Sequence, residues 1–189
     1  MKNTFLAIVF SAISLVACNS GNNKSDDANK ISDKSTSATA QVSPFISPVN
    51  GLLQNYLQMK NALANDDTKE AANAGNALLK ALNNYDTTIL RNDERNFFAD
   101  IADGAKENAE HIGKNAGNIK HQREHFDMLS KDMYDLVKKF AAGQPIYVDY
   151  CPMYNDNKGA TWLSEIKEIK NPYFGKDMNT CGSVKEELK

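Results

Sequence analysis

The stretch NIKHQREHFDMLSKDMYDLVKKFAAG, Asn118 to Gly143, sets Ile119, Phe126, Leu129, Met133, Leu136, Val137 and Phe140 at the spacing of one helical face. Asn118 offers a side-chain cap at its start, and Gly143 with Pro145 ends it. The spacing predicts a long amphipathic helix. Working upstream, Val49, Leu52, Leu53, Tyr56, Leu57 and Leu63 predict a first helix after Pro48, with Asn65-Asp66-Asp67 as its stop and the cap of the next. A second is expected from about Asp67 to Asn83, where Ala71, Ala74 and Gly75 permit close approach to a neighbour. A third, following Asp86 or Asn92, carries Phe97, Phe98, Ile101, Ala105, Ala109 and Ile112, and Gly113 and Gly117 bracket its end. Four helices with short connections predict a mainly α fold, an antiparallel four-helix bundle.

Downstream of Pro145 the period changes. Ile146 to Tyr150 has the β-branched and aromatic content of a short strand, and Ala160 to Ser164 is its expected partner across the turn Asn155 to Gly159. A small C-terminal β-hairpin and an irregular tail broken by Asn171-Pro172 and Gly175 are predicted. Trp162, the largest apolar side chain of this polar region, is expected to be buried as an anchor.

At the other end, Lys2 and the apolar run Phe5 to Val16 have the form of an export signal, too short to span a bilayer as a stable helix. Residues 1–17 are therefore expected to be a signal peptide. Residues 18–42, rich in Ser, Asn, Lys and Asp, lack the apolar surface needed to fold and read as a tether, leaving 43–189 as the helical domain with a Cys/Met-rich tail. The net charge of −2, with both signs interspersed, provides no basic footprint for nucleic acid.

Three histidines and three cysteines limit the chemistry. His121 and His125, four residues apart, project from one face of the long helix, a spacing that suits a metal. His111 and His121 stand at equal distance from the turn near Ala116, so all three can converge; a solvated histidine cluster is the alternative. The tail adds Cys151, Met153, Met178 and Cys181, soft ligands suited to Cu(I). The candidate metal residues are thus His121, His125, Cys151, Met153, Met178 and Cys181, and copper is the expected ion. Joining sulfur to histidine requires the first strand to run back almost straight along the long helix, so a sulfur-only site is geometrically easier. Cys151 and Cys181 equally form a candidate disulfide, which an oxidising compartment favours. His121 to His125 also fits H-x-x-E-H, the inverted zinc-peptidase pattern, with Glu124 as the water-activating group. No third ligand or substrate cleft accompanies it, and no other catalytic signature occurs, so the chain is not expected to be an enzyme.

Leu15-Val16-Ala17-Cys18 resembles the bacterial lipobox, which implies acylation of Cys18, palmitate among the attached chains, and a lipid-anchored protein of the cell envelope. Asn19 fits the pattern for outer-membrane sorting. His121 to Phe126 with Leu129-Ser130, Cys151-Pro152-Met153, Gly159 to Leu163, Asn171 to Gly175 and Met178 to Gly182 together resemble domain-of-unknown-function family 3347, from about Pro48 to Val184. The resemblance implies a helical module of envelope lipoproteins and of heavy-metal efflux adaptors. A link to copper buffering, sensing or efflux delivery follows, with an interaction module carrying a disulfide-locked tail as the alternative. Tyr150-Cys151-Pro152-Met153 also resembles the C-P-M-H motif of heavy-metal-binding domains, with Tyr154 where the histidine belongs.

Overall fold

The computed structural model describes residues 47–189. The expected signal peptide, Cys18 and the expected tether lie outside the described residues. Four long helices, α1 (Asn50–Ala64), α2 (Thr68–Asn83), α3 (Asn92–Lys114) and α4 (Ile119–Phe140), precede the strands β1 (Ile146–Cys151), β2 (Ala160–Ser164) and β3 (Ser183–Leu188). The protein is mainly helical, with a small antiparallel sheet at the C-terminal end.

Helices α2, α3 and α4 begin where a side chain can satisfy a backbone donor of the first turn. The Asp67 carboxylate accepts the Glu70 N–H at 2.9 Å, and Asn118 accepts that of His121 at 3.3 Å. At α3 the Glu94 carboxylate reaches back to the Arg91 N–H at 2.9 Å. The small residues of α2 act as expected: a Cβ on Gly75 would stand 2.9 Å from both the Ala109 carbonyl and the Gly113 nitrogen, so α2 and α3 pack at a distance only glycine allows. The apolar stripes of the four helices and the inner face of the sheet close over one core, in which Leu53, Tyr56, Leu63, Leu78, Ile112, Phe126, Leu129 and Met133 are buried.

β1 pairs with β2 in antiparallel register, Tyr147 opposite Ser164 and Cys151 opposite Ala160, as the hairpin reading expects. The connection is a left-handed turn, with Asn155, Asp156 and Asn157 at φ of 51°, 53° and 64°. Asn and Asp tolerate this conformation better than most side chains. The tail departs from expectation, because its last residues form β3 on the other side of β1, giving the order β2-β1-β3. The sequence SVKEEL hid this strand. It is an edge strand whose side chains alternate between solvent and partial cover, so its outer face is charged and only Val184 and Leu188 carry apolar content.

Trp162 is buried as expected, with its ring edge-on to Tyr173 at 5.8 Å between centroids. Tyr56 joins three elements: its hydroxyl lies 2.8 Å from Ser130 Oγ on α4 and accepts the Leu163 N–H of β2 at 3.1 Å. Arg123 ties α4 to the tail, donating to the Pro172 carbonyl at 2.7 Å, the Leu63 carbonyl at 3.0 Å and Asp66 at 2.6 Å. Gly175, at φ +56°, lies against Asp66 and Arg123 and leaves no room for a Cβ. Among the described residues, no helix is long and apolar enough to cross a membrane.

Candidate metal centre

The turn between α3 and α4 assembles the site. Asn115 ends α3, Gly117 takes φ +92°, and Asn118 caps α4, so four residues reverse the chain. The buried Gln122 amide fixes the two helices in register, donating to the Ile112 carbonyl at 3.2 Å and to the Thr68 carbonyl at 2.9 Å. His111 on α3 consequently faces His121 and His125 on α4. One ligand atom from each of the three falls within 4.8 Å of the others.

His111 Nδ1 stands 3.3 Å from His121 Nε2, and the His125 ring stacks flat on that of His111 at 4.1 Å and 8°. Two nitrogens bound at about 2.0–2.1 Å to one tetrahedral ion stand about 3.3–3.4 Å apart, so the first pair is already at coordination spacing. The widest separation has to shrink by at most about 1.5 Å to match that spacing, a shift that ring rotation can supply. His125 Nδ1 is engaged 3.0 Å from Asn108 Oδ1, which leaves Nε2 as its free nitrogen. Burial, then the neighbouring His111 and His121, holds His125 below the ordinary imidazole range. The shift favours the neutral form, the one that binds metal. All three rings are half-buried, and a pocket of about 200 Å³ lined by Glu110, His111, Lys114 and Asn115 opens beside His111.

Glu124 does not face this convergence. Its carboxylate lies 3.7 Å from His121 Nδ1, whereas Nε2 is the His121 nitrogen turned toward His111. It is placed to orient the ring rather than to meet a water on a metal.

The sulfur residues occupy another part of the fold. Cys151 ends β1, fully buried, and its Sγ lies 3.1 Å from that of Cys181. The contact with Cys151, then burial, pushes the Cys181 thiol up. Met153 is exposed at the start of the left-handed turn, and the Met178 carbonyl accepts the Cys181 N–H at 3.0 Å. Neither cysteine belongs to the histidine group. Of the six candidates read from the sequence, the structure brings His121 and His125 together with His111, and Cys151 together with Cys181.

Two buried polar groups were not singled out in the sequence. Asn108 lies on the apolar stripe of Ala105, Ala109 and Ile112, and Lys60 on that of Leu53, Tyr56 and Leu57. A polar residue on a buried stripe was the available signal in both cases. Lys60 Nζ pairs with Glu165 at 2.8 Å. Against the cost of burial, the hydrogen bond from Asn61 and the ion pair with Lys60 hold Glu165 below the ordinary carboxylate range. Asp149, buried beside this pair, has neither oxygen hydrogen-bonded within the protein, and burial pushes its pKa up to about 7.

Residues 52–144, which hold the four helices and all three histidines, match the model of the family described as "Protein of unknown function (DUF3347)". Over this segment the chain belongs to that family. The cysteine-bearing tail lies beyond the match. No curated protein and no solved structure matches the chain.

Proposed function

We propose that this domain binds a transition-metal ion through His111, His121 and His125, and that the ion is copper. The observation that carries the reading is the 3.3 Å spacing of His111 Nδ1 and His121 Nε2, with His125 joining from the same helix face. Imidazole suits copper, zinc, iron and nickel, and Cu(II) heads the affinity order of divalent ions at such a site. Three ligands beside an open pocket leave a coordination position through which the ion can be passed on. An antiparallel four-helix bundle would serve as the rigid scaffold. Anchoring in the cell envelope through Cys18, at the outer membrane by the sorting pattern, is not required for binding; the anchor would hold the domain near a heavy-metal efflux system to buffer, sense or deliver copper. The test is titration of the purified chain with Cu(I), Cu(II) and Zn(II). One equivalent of saturable binding, lost in His111→Ala and His125→Ala, is expected; equal binding in these variants and the wild type would overturn the reading.

The Cys151–Cys181 contact of 3.1 Å favours a second reading, an interaction module whose tail is locked by a disulfide. Mass spectrometry of protein purified from the envelope, finding the two cysteines linked and no metal retained, would support it. The position of Glu124 beside the rear nitrogen of His121 argues against the zinc-peptidase reading.

A further inference from the structure

Cys151 and Cys181 approach to 3.1 Å between sulfurs, and the backbone around each holds it there. Tyr150 and Ser183 are partners in the β1–β3 ladder, so the residue after the first and the residues before the second are carried together. Asn171 fixes the second sulfur from the tail: its side-chain amide donates to the Cys181 carbonyl at 2.7 Å, and its backbone N–H donates to the Asn179 carbonyl at 2.8 Å. Gly182 lies so close to the Trp162 ring that a Cβ there would stand 3.0 Å from it. A disulfide bond is about 2.05 Å long, so the two sulfurs have only about 1 Å left to close. The thiols differ in access. Cys181 is partly exposed, whereas Cys151 is 0 % exposed.

We propose that Cys151 and Cys181 form a thiol–disulfide exchange site, with Cys181 as the entry sulfur and Cys151 as the resolving sulfur, that takes a disulfide-bearing donor as its oxidant. The inference rests on the disulfide reading above and names the route by which that bond forms and reopens. In the first step Cys181, having lost its proton to solvent, attacks one sulfur of the donor; the donor's S–S bond breaks and its other half leaves as a thiolate. In the second, Cys151 attacks Sγ of Cys181, and the remaining half of the donor leaves as a thiolate that takes up the Cys151 proton. Two thiols are oxidised to one disulfide, and one donor disulfide is reduced to two thiols. The new bond joins the end of β1 to the residues before β3 and encloses β2 and the tail in one loop. In the reverse direction an incoming thiol meets Cys181 first, for the same reason of access.

Reduction of the full chain, exposure to oxidised glutathione in native buffer, acid quench and peptide mass spectrometry test the order of the two steps. The wild type is expected to finish with a Cys151–Cys181 bond and no lasting glutathione adduct on either residue. Cys151→Ser is expected to trap glutathione on Cys181, and Cys181→Ser to leave Cys151 free until urea is added. Cys151→Ala repeats the trap with an apolar side chain at the buried position, and circular dichroism reads whether each variant keeps its fold. Where a variant fails to fold, wild type quenched at early times is expected to carry the adduct on Cys181 and not on Cys151. Glutathione on Cys151 in folded protein, or equal labelling of the two residues, overturns the order of entry. A wild type that acquires the bond while neither Cys151 variant traps glutathione on Cys181 defeats the exchange route and leaves the disulfide reading standing. Thiols that both stay free in the wild type defeat the two together.

Discussion

Two clusters of titratable side chains among the described residues resolve their electrostatics in opposite ways. Around Lys60 one ammonium faces two carboxylates; Glu165 takes the close contact at 2.8 Å, and Asp149 is pushed toward its neutral form. At the α3–α4 tip three imidazoles face one another without an opposing charge in hydrogen-bond contact. A hydrogen bond between His111 and His121 uses a single N–H and leaves the other lone pairs directed at the same small space. The first arrangement completes itself within the fold, whereas the second would be completed by the cation proposed above. Burial follows the same division, since Lys60 is fully covered and the histidines are half-exposed.

The largest effect expected to sharpen this contrast comes from Lys60→Met. Removing the ammonium leaves two carboxylates without their cation, a loss of about 3 kcal/mol. Chemical denaturation would read it, and a variant as stable as the wild type would break the claim that the Lys60 cluster is a completed structural unit. Next in size is the histidine site. At a free metal concentration 100 times the dissociation constant, binding should stabilise the wild type by about 2.7 kcal/mol. His111→Ala should abolish that gain while changing metal-free stability little, because the ring is half-exposed. Thermal melts with and without metal, repeated after chelation, test both halves of the statement.

A smaller effect is expected from Gly175→Ala, about 1–2 kcal/mol of destabilisation, because the position combines positive φ with contact against Asp66 and Arg123. This substitution asks whether the tail is held to α4 by the Arg123 clasp, independently of both clusters. A neutral result would show that the turn can move away from Arg123 without cost.

The helices were legible in the sequence because their signal is local. The stripe from Ile119 to Phe140 and the caps at Asp67 and Asn118 act within one or two turns of themselves. His121 and His125 could be paired from their spacing, and His111 could be added from the symmetry of the hairpin. The orientation of Glu124 and the contact of Asn108 with His125 could not be read, since they depend on which ring nitrogen faces across two helices. β3 escaped for a different reason: its partner lies on β1 more than thirty residues upstream, and its charged outer face gives no apolar alternation. Arg123 fell inside a motif that drew attention to the histidines and glutamate, while its own bonds run to residues 49 and 60 positions away.

The smallest expected effect, and the finest test of the completed cluster, is the pH dependence of Asp149→Asn. The folded-state carboxyl is raised from 3.8 to about 7, so between those limits the folded protein keeps a proton that the unfolded chain has released. Stability from this group is therefore full below about pH 4, falls as pH rises toward 7, and is flat above it. His125 acts with the opposite sign, because its lowered pKa favours the fold as pH rises through the ordinary imidazole range, while Asp132, raised to about 6, acts in the same direction as Asp149. Both contributions are common to wild type and variant and cancel in their difference. That difference should be small at pH 4 and should grow in favour of Asp149→Asn, by at most about 1.4 kcal/mol per pH unit, as pH rises toward 7. Urea denaturation at pH 4, 6 and 8 would measure it. A difference that stays constant across the series would mean that Asp149 is ionised throughout and that Lys60 is shared between both carboxylates, so the cluster would be an ion-paired triad rather than one pair beside a neutral acid.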